Sequence, residues 1–205
     1  MEPSLNDLVQ ELTEKHHCHT LILYGSRARG EETPESDYDL LGFRETGADI
    51  WDARLWNGKY LDVFIYPESK INSTPEEFFR LRGGRILKQK DQLGERLLSD
   101  IEKAYQEGPK PRAPDQLEGQ RVWARKTLAR IKRGDIEGNY RRASLLVNLV
   151  EDYFVLRGKW FLGPRLSLDW LKKNDTETYQ AFQAALALGA QVREIEILVG
   201  RVIGE

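Results

Sequence analysis

Two aspartates one residue apart, Asp37 and Asp39, stand where the segment "SDYDLLGF" (residues 36 to 43) turns apolar. On an extended chain alternate side chains share a face, so both carboxylates point to one side while Tyr38 and Leu40 pack on the other. Like charges so placed repel one another, and they must be hydrated, neutralised or bound to a cation. Stability alone does not put them there.

The surrounding sequence supplies the rest of a candidate site. "TLILYGS" is a continuous apolar run of the kind expected for a buried strand, ending in Gly25-Ser26. "SRARGEE" can form a short helix after it, so backbone N–H groups at its start and the Ser26 hydroxyl suit phosphate oxygens. Arg27 and Arg29 beside this turn either reach phosphate or pair with Glu31 and Glu32. A third carboxylate, Asp62, lies between Leu61 and Val63 in "KYLDVFIYP", a strand-like run separated from "IWDARLWNG" by the hairpin signal Asn57-Gly58. Three carboxylates converging on one sheet face would form an oxygen-rich anionic cage, suited to a hard divalent cation whose coordination substrate phosphates complete.

The pattern predicts an α+β chain. Leu5, Leu8, Val9 and Leu12 follow helical spacing, "STPEEFFRLR" carries a helix start with Thr74 as cap and Pro75 first, "RILKQ" reads as a short strand, and "QLGERLLSDIEKAYQE" as a helix. Then comes "EGPKPRAPD", where three prolines in six residues read as a linker over 109–114. It separates a catalytic domain, residues 1–108, from an all-α domain, residues 115–205. The helical domain is read from "LEGQRVWARKTLARIKRGD", "NYRRASLLVNLVEDYFVLRGK", "RLSLDWLKKN" and "TYQAFQAALALGAQVREIEILVGRVI". Residues 1–108 carry 21 acidic against 14 basic side chains, and 109–205 carry 12 against 17, so the overall −2 conceals −7 and +5. One cysteine excludes an internal disulfide. The N-terminus has no basic and apolar leader, and no apolar run approaches the roughly 20 residues of a membrane-spanning helix, so a cytoplasmic protein is expected.

"LILYGS", "SDYDL" and "LDVF", with "RARGEETPES" between the first two, resemble the DNA polymerase β-like nucleotidyltransferase superfamily, in particular its small bacterial members. The layout is similar to that of aminoglycoside nucleotidyltransferases, in which a helical domain follows the catalytic one. The resemblance implies that Gly25 and Ser26 hold the terminal phosphates of a nucleoside triphosphate. Asp37 and Asp39 would bind two Mg2+ ions, and Asp62 would complete the ion that meets the acceptor. The implied reaction is in-line attack of an acceptor hydroxyl on the α-phosphorus with loss of pyrophosphate, AMP from ATP being the expected donor chemistry. A helical-domain glutamate assists the acceptor in the aminoglycoside-modifying relatives, and Glu151 is its positional counterpart here. No GxxxxGK[ST] loop occurs, which argues against γ-phosphoryl transfer.

Taken singly, these residues have plainer explanations: Gly25-Ser26 as a turn, Asp37 as a strand end, Asp62 as an edge-strand surface residue, and Glu151 as a helix acid paired with arginine. Arg121, Arg125 and Lys132 make a basic face that ordinary solvation explains, and the acidic chain has no aromatic-basic platform for single strands, so nucleic acid is not the expected partner. The acceptor is left open between a small hydroxylated molecule and a protein side chain, and a homodimer is compatible with the sequence. The competing class is a non-catalytic nucleotide-binding, regulatory or antitoxin-like module acting on a protein partner. His16, His17, Cys18 and His19 lack the spacing of a zinc site and are expected at a solvated helix end.

Overall fold

The computed structural model describes residues 4–204. The chain divides into two compact units, Met1–Glu107 and Gly108–Glu205.

The first unit opens with α1, Leu5–His16, started by Ser4, whose backbone N–H and hydroxyl both donate to the Asp7 carboxylate. It is followed by β1 (Thr20–Tyr24), the single-turn helix α2 (Gly25–Arg29), β2 (Tyr38–Arg44), β3 (Ile50–Trp56) and β4 (Lys59–Pro67). β5 (Arg85–Lys88) and α3 (Leu93–Glu107) complete the unit. The strands lie in the order β3-β4-β2-β1-β5, with β2 and β4 parallel and the other pairs antiparallel. Asn57 and Gly58, at φ 51° and 71°, give the doubly left-handed turn that matches strand twist and joins β3 to β4.

Period-two alternation sorts the strand residues into two cores. Leu21, Leu23, Leu40, Leu61 and Val63 pack against Leu8 and Leu12 of α1. Ile22, Tyr24, Leu41 and Phe43 pack on the other face with Phe78, Leu81, Leu97 and Ile101. With both faces covered, β1 is buried along its whole length, as its unbroken apolar run requires.

The second unit holds α4 (Pro114–Ile131), α5 (Ile136–Val155), α6 (Pro164–Asn174), α7 (Thr176–Leu186) and α8 (Val192–Ile203). Its core joins Ala124, Leu145, Leu149, Tyr153, Phe182, Ile195 and Leu198. Asp135 caps α5 by accepting from the Gly138 N–H at 2.7 Å. Asp175 caps α7 and also accepts from the Tyr153 hydroxyl at 2.7 Å, tying a helix start to the core.

Four local expectations are revised. The Pro75 segment is a 3-10 helix, Pro75–Leu81, and the Thr74 hydroxyl donates to the Glu77 carboxylate at 3.3 Å rather than capping a backbone N–H. Pro114 is not linker but the first residue of α4, a position where its missing N–H costs nothing. The long C-terminal periodic run is two helices, interrupted at Gly189, whose φ of 83° no helix accepts. The histidine segment is only partly the solvated helix end expected: His17 ends α1 in the left-handed conformation and is exposed, whereas His16 lies 2.9 Å from Asp52 and Cys18 is buried.

Candidate active site

The parallel pairing of β2 with β4 sets Asp39 directly opposite Asp62, and the antiparallel pairing with β1 sets it opposite Tyr24, the residue before Gly25. Asp39 is therefore flanked on one sheet face by the second carboxylate and by the turn that follows β1. Asp37 immediately precedes β2 and is exposed. Burial, and then the charges of Asp37 and Asp62, push the Asp39 carboxyl up to about 6, with Arg29 and Arg80 opposing. The three acids thus share one electrostatic neighbourhood that is short of positive charge. The same burial, with Asp39 and Asp62 adding to it, raises the Tyr24 phenol.

Gly25 answers for its own identity. Its φ is 73°, and a Cβ there would collide with the Asp39 carboxylate, so the chain can turn past that group only as glycine. Ser26 is 6 % exposed, and its hydroxyl makes no hydrogen bond among the described residues.

The flanking arginines have partners. Arg27 donates to the Asp37 and Ser36 carbonyls at 2.8 and 2.6 Å and lies 4.0 Å over the Tyr38 ring, which fixes the entry into β2. Arg29 pairs with Glu31 at 2.9 Å. Glu151 is exposed on α5 in the second unit, beside the buried Asp152. Trp170 packs on Tyr153 and Phe154, while Trp160 and Phe161 line a cavity of about 350 Å3 in that unit. The basic face is largely neutralised by neighbours, with Arg121 and Arg125 near Glu118 and Lys132 2.6 Å from Glu196.

Two residues escaped the sequence reading. The Trp51 indole N–H donates to Asp62, and its ring stacks on Phe64 with planes 2° apart. Arg80, on the 3-10 helix, covers Phe64 at 4.5 Å and donates to the Tyr66 hydroxyl at 3.0 Å. A signal for the first did exist: Trp51, Ala53 and Leu55 alternate with polar residues, which puts a large aromatic on one face of β3.

The donor set is oxygen only, which suits a hard divalent cation such as Mg2+. Among the described residues no group of three or more His, Cys, Asp or Glu side chains is gathered closely enough to hold a metal by itself. The cage of three converging carboxylates expected from the sequence is therefore not closed by the protein alone: Asp39 and Asp62 are paired across β2 and β4, and Asp37 lies exposed ahead of β2.

One family of known proteins matches the first unit. Residues 5–93 match the family described as a nucleotidyltransferase domain. No curated protein sequence matches the chain. A solved structure of a nucleotidyltransferase-like protein from Exiguobacterium sibiricum 255-15 is similar to it at 10 % identity and a TM-score of 0.48, covering 98 % of this chain and 75 % of that one. Residues 5–93, most of the first unit with its mixed five-stranded sheet, are thus similar to a nucleotidyltransferase domain.

Proposed function

We propose that the chain moves a nucleoside monophosphate from a nucleoside triphosphate to an acceptor hydroxyl, with AMP from ATP as the donor chemistry and pyrophosphate as the leaving group. The observation that carries this reading is the register of β2 on β4, which pairs Asp39 with Asp62 next to the Gly25 turn. In it Asp37, Asp39 and Asp62 hold Mg2+, Gly25 lets the backbone pass the carboxylates, and the Ser26 hydroxyl donates to a phosphate oxygen. Bound Mg2+ would neutralise the triphosphate and lower the pKa of the acceptor hydroxyl. Arg29 is assigned to the phosphates once it leaves Glu31, an exposed pair that costs little to break. Arg27 belongs to the same nucleotide site by holding the Ser36–Asp37 backbone in place.

The acceptor is a small hydroxylated molecule or a protein side chain, and Glu151 is assigned to its deprotonation on the resemblance to the aminoglycoside-modifying relatives. Incubation with labelled ATP, GTP, CTP or UTP, magnesium and a cell extract, followed by separation of labelled protein, RNA and small molecules, reads donor and acceptor together. Label in none of the fractions sinks the proposal in favour of a binding-only module. With an acceptor in hand, Glu151→Gln should keep magnesium-nucleotide affinity and lose turnover, as calorimetry and pyrophosphate release would show. Wild-type turnover in that variant removes Glu151 from the chemistry.

A further inference from the structure

The two edges of the sheet are guarded unequally. β5, at one edge, has four residues and carries Arg85 and Lys88, the shortness and charge that keep an edge strand from pairing with another chain. β3, at the other edge, has seven residues with no proline, lysine or glycine among them. Trp51, Ala53 and Leu55 share the sheet face of Asp62 and are all exposed, Trp51 and Leu55 by 66 % and 63 %. Large apolar side chains exposed in a row along one strand mark a contact surface.

The backbone of this edge is open as well. The two-residue turn at Asn57-Gly58 makes Trp56 and Lys59 a bonded pair, so Asp52, Arg54 and Trp56 turn their N–H and C=O groups towards β4, whereas Trp51, Ala53 and Leu55 turn theirs outwards. Among the described residues none of these three makes a backbone hydrogen bond outside the sheet. An added strand must bond to residues 51, 53 and 55, which restricts how a second β3 can lie antiparallel to the first. Centred on Ala53, the pairing sets Trp51 opposite the second copy's Leu55 and Asp52 opposite its Arg54. Centred on Asp52 or on Arg54, it would set Asp52 against Asp52 or Arg54 against Arg54, and like charges directly opposite are destabilising. Asp52 already holds Lys15, His16 and Arg54 of its own chain at 3.0, 2.9 and 3.0 Å, so these charges are fixed in place before a partner arrives. One register is therefore self-complementary in charge and in bulk, with the small Ala53 meeting its own copy at the centre.

We propose that β3 pairs antiparallel with β3 of a second copy of this chain, about a twofold axis at Ala53, joining the two sheets edge to edge. The pairing lays the second copy's Leu55 against Trp51, the donor to Asp62, at the border of a cavity of about 340 Å3 that Asp37 and Asp62 also line. Nothing in it rests on nucleotidyl transfer, so it stands or falls separately from the function of the first unit.

Sedimentation velocity on the full chain from roughly 1 to 200 μM tests it, since a single strand pair is a small interface that should dissociate on dilution. A monomer–dimer equilibrium is expected for the wild type. Ala53→Pro removes an N–H that points off the edge and leaves the β4 ladder whole, and it should weaken the dimer about tenfold or more. Oxidation with diamide reads the register: Ala53→Cys should give a disulfide-linked dimer, because bonded partners on antiparallel strands lie about 5.5 Å apart between Cα atoms, within disulfide reach. Leu55→Cys, whose two copies would lie on opposite sides of the axis, should link at least about tenfold more slowly. A monomer throughout the range, a dimer undiminished in the folded Ala53→Pro protein, no linkage in Ala53→Cys, or linkage in Leu55→Cys as fast as in Ala53→Cys overturns the pairing. The two cysteine variants alter exposed positions and Cys18 is buried, so they decide the matter even if Ala53→Pro fails to fold.

Discussion

Asp39 and Asp152 are two carboxylates that burial holds near a pKa of 6, and they differ in what surrounds them. Asp39 faces two further acids on a sheet, where a cation and a triphosphate would relieve the repulsion. Asp39→Asn should therefore abolish transfer while leaving the thermal midpoint unchanged or higher without metal. A large fall in the midpoint would assign Asp39 to structure instead. For Asp152 the sign follows from linkage. Its carboxyl has an ordinary value of 3.8 when unfolded and about 6 when folded, so folding favours the neutral form. Well below pH 3.8 both states are protonated and the group costs nothing. As pH rises to about 6 the unfolded chain ionises first and stability falls, by on the order of 3 kcal/mol in full. Asp152→Asn should match the wild type in acid and exceed it above about pH 6, which denaturant melts across that range would show. A flat difference between the two proteins across pH would mean that water already solvates Asp152.

At the scale of elements, most of the fold was legible because strand and helix periods differ. The unbroken run of β1, the Asn57-Gly58 turn and the spacing of Leu5, Leu8 and Leu12 each have one economical reading. The pairing of Asp39 with Asp62 was anticipated only as strands lying side by side, since register depends on how both faces are packed. The α7–α8 break was missed because the apolar spacing continues across Gly189, and the 3-10 form of Pro75–Leu81 because its start signal is that of an α-helix. For Trp51 the alternation along β3 marked only its face: its role arises from the β3–β4 register, which places it opposite Phe64 and within reach of Asp62. It is 66 % exposed, so the hydrogen bond and the ring stack, rather than burial, hold it in place. Trp51→Phe keeps a ring for Phe64 and removes the donor to Asp62. Turnover should fall by about tenfold with nucleotide affinity unchanged, the scale of one hydrogen bond to a charged group. A fall in nucleotide affinity alone would make Trp51 a binding surface rather than a positioning residue.

The whole molecule consists of two units with separate cores, one built on a sheet covered on both faces and one on packed helices. No described helix is long and apolar enough to cross a membrane. The lone thiol belongs to the first unit, where Cys18 is 1 % exposed and burial raises its pKa to about 11. It packs so closely on the sheet that a Cβ on Gly42 would lie 3.0 Å from its sulfur. Thiolate is the reactive species, so Cys18 should be silent towards a thiol reagent until the α1–sheet layer opens. Labelling rate against urea would then report the first unit alone, beside helical circular dichroism, which is dominated by α4 to α8 of the second unit with a smaller share from α1 and α3. If thiol labelling rises at lower urea than the loss of helix, the sheet unit opens first, whereas rapid labelling without urea would show that α1 lifts from the sheet in the native state. The chain thus carries its own single-site chemical clock, and no residue need be added to read it.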